Sequence, residues 1–229
     1  MARATHREQC SFPIGPDPPC YDPVAVVALT AVFQILAVVV AVGGVAKIVA
    51  PDAFSATLAA LGAPSGRPVA RLCGAAEVAI GAGALLVGGR VAAAVLAATY
   101  ATFALVVVAA RRAGAVSCGC FGAASAPPSP LHVVVNATSA GLAALAVVVG
   151  PEALGDSLAA QPLGGVPYLA AVALASWLVI VLDTTGADVA TSVAEVRSLG
   201  PTFRENSHGT APSRTQRRHP RSPTPARTD

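Results

Sequence analysis

The chain has 229 residues, 54% of them hydrophobic and 12% charged, with a mean hydropathy of +0.65. Soluble domains carry about a quarter charged residues, so a water-soluble fold is excluded: too few charges exist to cover its surface. The net charge of +3 belongs to the tail, since seven of the fifteen Lys and Arg residues follow Asp183. Without aromatic interleaving or a folded basic face, those arginines make no case for nucleic acid and read as a solvated tail that helps fix membrane orientation.

Residues 1–23 are polar and proline-rich, with Cys10 and Cys20 but no apolar core of their own. Residues 24–46 contain no charge and exceed the ~20 apolar residues that a helix needs to cross hydrocarbon, which makes them the first span. Lys47 follows, and Pro51 stops the helix. Phe54, Leu58 and Leu61 have helical spacing and precede Gly62, which predicts a short interfacial helix. A second span covers 69–89 and carries Arg71, Cys73 and Glu77. Arg90 marks a tight turn before a third, uncharged span over 91–110. After Arg111 and Arg112 comes the loop "SCGCFG" at 117–122, a proline break, and a fourth span over 131–150. A polar loop leads to a shorter fifth span at 166–182.

Uninterrupted apolar runs satisfy their own backbones as helices, not as alternating barrel strands. The expected fold is therefore an all-α integral membrane bundle of four core helices plus a fifth. Its organisation reads as a polar segment (1–23), a four-helix membrane domain (24–150), a loop and fifth span (151–182), and a basic disordered tail (183–229).

Successive spans alternate in direction, so the loops after spans one and three share a membrane face. Lys47 ends span one there, Arg71, Cys73 and Glu77 enter span two from it, and Cys118 and Cys120 sit in the third loop. His132 and Asn136 open span four from the same face, four residues apart on one side of the helix. Glu77 lies roughly 12 Å below the start of its span at ~1.5 Å per residue. A carboxylate that deep marks a partner or a site. Lys47 is the obvious partner, with Arg71 set off the Glu77 face, and the pair could be purely structural.

The Cys-x-Cys pair has three readings. A buried lone cysteine behaves as a small hydrophobe, which suits Cys73 but not two thiols flanking a glycine. A soft-metal site would use Cys118, Cys120 and His132, with Cys73 or Glu77 in reserve. A redox pair needs a thiolate stabilised by positive charge, which Arg111, Arg112 and His132 supply, and Cys73 could act as a resolving thiol.

The succession "GGVAKIVAPDAF", "RLCGAAEVAIGAGALLVGG", "RRAGAVSCGCFG" and "HVVVN" resembles the methylamine utilisation protein MauE family, grouped with DoxX-like redox-associated membrane proteins. The resemblance covers about 24–150, and "CGCFG" is its most specific element. It implies a multi-pass protein of a bacterial cytoplasmic membrane that assists thiol–disulfide maturation of an exported, disulfide-rich client such as the methylamine dehydrogenase small subunit. A thioredoxin-like protein is a further implied partner. The family pattern falls on Lys47, Pro51, Phe54, Glu77, Cys118, Gly119, Cys120, Phe121, Gly122 and Asn136. Loop charge, by contrast, places the Cys-x-Cys loop on the cytoplasmic side, from which electrons could pass through the bundle to a quinone or to Cys73. The alternatives are a soft-metal binding or transport protein and a non-catalytic membrane scaffold.

Overall fold

The computed structural model describes residues 22–121 and 127–185. Cys10, Cys20, Gly122 and the basic tail from 186 onward lie outside the described residues.

Five helices among the described residues are long and apolar enough to cross a membrane. The first, α1 (Pro23–Val49), starts where the Asp22 side chain accepts from the Val24 amide, with Pro23 supplying a pre-set φ. It runs three residues beyond the uncharged stretch, so Lys47 lies inside its last turn. A residue before proline avoids the helical region, so the helix stops at Val49 with Ala50 opened to φ −125°. The short α2 (Asp52–Ala60) follows, as its apolar spacing predicts.

The second span, α3 (Arg67–Val87), turns at Gly88 directly into the third, α4 (Gly89–Arg112). Gly88 has φ +65°, and a Cβ there would lie 2.5 Å from the Ala153 amide nitrogen, so only glycine allows so tight a reversal. The fourth span is α5 (Pro130–Val149). A short α6 (Leu154–Ala159) and a 3-10 turn (Pro162–Gly165) lead to α7 (Val166–Thr185). The fifth span thus extends past Leu182 and carries Asp183 within the helix rather than at the head of the tail.

Helix α1 packs along α3 and α5, and α4 along α5 and α3. The α1–α3 seam is made of small residues: a Cβ on Gly44 would meet the Gly74 carbonyl at 2.5 Å, and one on Gly81 the Ala37 carbonyl at 2.5 Å. Lipid tails offer no hydrophobic gain between helices, so close backbone approach supplies the packing energy instead. Phe33, Leu36, Val40, Leu96 and Tyr100 fill the centre with a set of alanines. Leu72, Leu86, Val91 and Leu105 stand at least 70% exposed on the outside. Such an outer surface belongs in hydrocarbon, and the chain is a multi-pass membrane protein.

Candidate functional site

At the end of α1, Lys47 is 3% exposed and Glu77, from the middle of α3, 6%. Their Nζ and Oε2 atoms are 2.7 Å apart. A second ammonium hydrogen is donated to the Cys120 carbonyl at 2.9 Å, so one cation ties α1 to α3 and to the cysteine loop. The rings of Phe54 and Phe103 flank it, with centroids 5.2 and 5.5 Å from Nζ. Neither charge could be buried alone; together they form a neutral unit. Arg71, the competing cation, instead donates to the Ile48 carbonyl at 3.3 Å.

The loop residues lie over this pair. Gly119 has φ +69°, and a Cβ there would come within 2.6 Å of the Phe54 Cα, so glycine is required by both conformation and space. Thr57 on α2 donates to the Ser117 carbonyl at 2.9 Å and pins the loop's start. Cys118 is buried and Cys120 partly exposed, and both are free thiols, as is Cys73. The Cys120 sulfur lies 3.8 Å from the Cys118 carbonyl oxygen.

His132 is positioned by the start of its own helix. Ser129 caps α5: its hydroxyl accepts from the His132 amide, while its amide donates to His132 Nδ1 at 3.2 Å. A backbone N–H can only donate, so Nδ1 is the acceptor and the ring proton sits on Nε2. That atom is buried with no hydrogen-bond partner among the described residues. The imidazole lies beside the Cys118 sulfur. The Cys120 thiol donating to it, and then His132, hold the Cys118 thiol well below the ordinary thiol range, at about 4, against burial. The Cys120 thiol is pushed up, because its proton serves Cys118 and because it is buried.

A cavity of about 310 Å³ opens beneath the loop. Its wall brings together Lys47, Cys73, Glu77, Cys118, Cys120 and Asn136. His132 stands behind that wall, and the Asn136 amide donates to its backbone carbonyl at 2.8 Å. Lys47, Cys73, Glu77, Cys118, Cys120, His132 and Asn136 thus lie at one end of the bundle. Among the described residues no group of three His, Cys, Asp or Glu side chains is placed to hold an ion.

Sequence reasoning missed Asp183, which is 5% exposed, lines the cavity, and has Oδ1 without a hydrogen-bond partner among the described residues. Alternating span direction was the available signal: the end of span five falls on the same face as Lys47. Tyr100 and Phe103 were missed as well, for they read as ordinary core residues of an uncharged span.

Comparison with curated proteins and with solved structures gives no match. The family described as methylamine utilisation protein MauE matches residues 25–149. That stretch holds α1 to α5, the whole of the Lys47–Glu77 pair and the cysteine loop, and is more than half of the chain. The chain therefore belongs to the MauE family.

Proposed function

We propose that Cys118 and Cys120 form a dithiol–disulfide centre that passes disulfides to an exported client, the methylamine dehydrogenase small subunit or a protein of like chemistry. The observation that carries this reading is the placement of the pair: two free thiols flank Gly119 in one loop, Cys118 buried beside the His132 imidazole and Cys120 partly exposed. In the oxidised pair, a client thiolate attacks the sulfur of Cys120, the residue of the two that is partly exposed. The S–S bond breaks and Cys118 departs as the stabilised thiolate, and low-pKa thiols leave fastest. A second client thiolate then attacks the client–Cys120 bond. The client gains a disulfide and the pair is left reduced. His132 Nε2–H stabilises the departing thiolate, while Lys47 holds the Cys120 carbonyl and so the loop.

A scaffold reading draws on one observation, that Lys47 clamps three segments. Trapping separates the two. Cys118→Ser should leave Cys120 in a stable mixed disulfide with a thioredoxin-like protein or client, whereas Cys120→Ser should trap far less. Full function with both loop cysteines replaced by serine would favour the scaffold. The exported client also requires an outward loop, against the loop charge. An impermeant thiol reagent should therefore label Cys120 in intact cells, and protection from it would move the client to the cytoplasmic side.

A further inference from the structure

A centre that hands out disulfides must be reoxidised, and the cavity under the loop has the chemistry of a binding site for the oxidant. Apolar side chains, Val39, Val40, Leu58, Val106, Val135 and Val179 among them, line much of its wall. Among the described residues Lys47 is the only cation on that wall, and it is already held by Glu77 and the Cys120 carbonyl. Asp183 adds a carboxylate. An anionic ligand is therefore disfavoured, and a neutral, largely apolar one fits. The volume, about 310 Å³, is at the small end of the ~300–1,000 Å³ range of small-molecule sites, which suits one or two fused rings and is too small for a peptide loop. Thr102 belongs to the same wall and is exposed on the outside of α4, so the cavity reaches the hydrocarbon-facing surface.

Two further features fix the chemistry of the occupant. Both cysteines of the pair belong to the wall, which brings a two-electron acceptor in the cavity next to the dithiol. Asp183 Oδ1, buried and without a partner among the described residues, is an acceptor waiting for a hydroxyl hydrogen. The Tyr100 hydroxyl, by contrast, is already donated to the Leu36 carbonyl at 2.9 Å.

We infer that the cavity binds a membrane quinone, which oxidises the Cys118–Cys120 dithiol. In the reaction the Cys118 thiolate and the Cys120 thiol become one S–S bond: the Cys120 S–H bond breaks, and a second proton, the one Cys118 released on ionising, is taken up from water. Two electrons and two protons pass to the two quinone oxygens, giving a quinol. Asp183 accepts a hydrogen bond from one of its hydroxyls and so favours the reduced product. The inference rests on the dithiol reading and adds its electron acceptor: quinone enters from the lipid side, while the client meets Cys120 at the loop.

The test uses the full purified chain in detergent, reduced, freed of reductant and kept anaerobic, with decylubiquinone as the probe. Two thiols, on Cys118 and Cys120, should be lost for each quinol formed, as counted by alkylation and mass spectrometry. Decylubiquinone should also raise the melting temperature of the Cys118→Ser/Cys120→Ser double variant, which cannot react. Two cavity-filling variants, Val179→Trp and Val106→Phe, guard against one that fails to fold. In either, the thermal shift should vanish and thiol loss should slow at least tenfold. Thiol loss at the wild-type rate in a folded cavity-filled variant would overturn the site. A wild-type pair that exchanges with a thioredoxin-like protein yet keeps both thiols under quinone would overturn the inference while the dithiol reading stands. A pair that does neither would end both.

Discussion

The bundle buries two polar clusters, and they are built on opposite principles. Near its other face, Gln34 of α1 is fully buried, and its amide is used on both sides. Nε2 donates to the Ser157 hydroxyl at 2.9 Å and lies 3.4 Å from the Glu152 carbonyl, while Oε1 accepts from the Tyr168 hydroxyl at 2.9 Å. Each atom is satisfied, no charge is involved, and the network joins α1, α6 and α7. The cluster under the cysteine loop carries charges, two buried atoms without partners among the described residues, and a cavity beside the cysteine pair. Complete satisfaction is what a structural tie needs; leftover hydrogen-bonding capacity beside a cavity is what a site keeps for its ligand.

The largest expected effect comes from breaking the charged pair on one side only. Lys47→Met or Glu77→Leu leaves an unpaired charge in hydrocarbon and should cost about 3–5 kcal/mol or abolish assembly. The double variant, which removes both charges, should recover most of that stability in detergent unfolding. If the pair serves the thiol centre, the recovered double variant should still exchange thiols poorly, because the Cys120 carbonyl has lost its ammonium donor. Wild-type exchange in the double variant would make the pair a structural element like Gln34.

The neutral cluster should respond differently. Gln34→Leu leaves the Tyr168 and Ser157 hydroxyls without their partner and should cost about 1–3 kcal/mol, the usual penalty for orphaned buried groups. Trapping at Cys120 should be unchanged once the variant is folded. A loss of trapping comparable to that in a Lys47 variant would erase the distinction between the two ends.

The two clusters were also unequally legible. Charge in an apolar run is conspicuous, and alternating span direction places charged groups on faces, so Lys47, Glu77 and the cysteines could be brought together from sequence. Gln34 is a single neutral residue in an uncharged run, and its partner Ser157 is 123 positions away. No local pattern announces that pairing. Asp183 was hidden for another reason: an acidic residue at the end of an apolar run marks a boundary by composition, yet one more helical turn buries it against the cavity. His132 was read as a charge donor, whereas the capping hydrogen bonds that fix its tautomer depend on where α5 begins, and that is geometry no spacing rule supplies. Helix ends followed from prolines and glycines to within a few residues. The contacts between helices depended on which small residues let the backbones meet.

The smallest expected effect is also the most specific, because it concerns one proton. The Cys118 thiol is held at about 4, first by the Cys120 thiol and then by His132. A lowered thiol is ionised above its own pKa, so in a Cys10→Ser/Cys20→Ser/Cys73→Ser background ultraviolet thiolate absorbance should stay level as the pH falls through the ordinary thiol value of about 8.5. It should drop only near pH 4. His132→Ala removes the imidazole beside the Cys118 sulfur and should move the drop upward by about one pH unit, equivalent to ~1.4 kcal/mol. The replacement also disturbs the cap of α5, so Ser129→Ala is the proper comparison. It removes the capping hydroxyl, including its 2.7 Å contact with Nδ1, at a stability cost of about 1 kcal/mol, but the Ser129 amide still donates to Nδ1 and the imidazole stays beside Cys118. Its titration should match the wild type. Equal shifts in both variants would mean that His132 acts on Cys118 only by starting the helix, as Gln34 acts on its neighbours only by holding them.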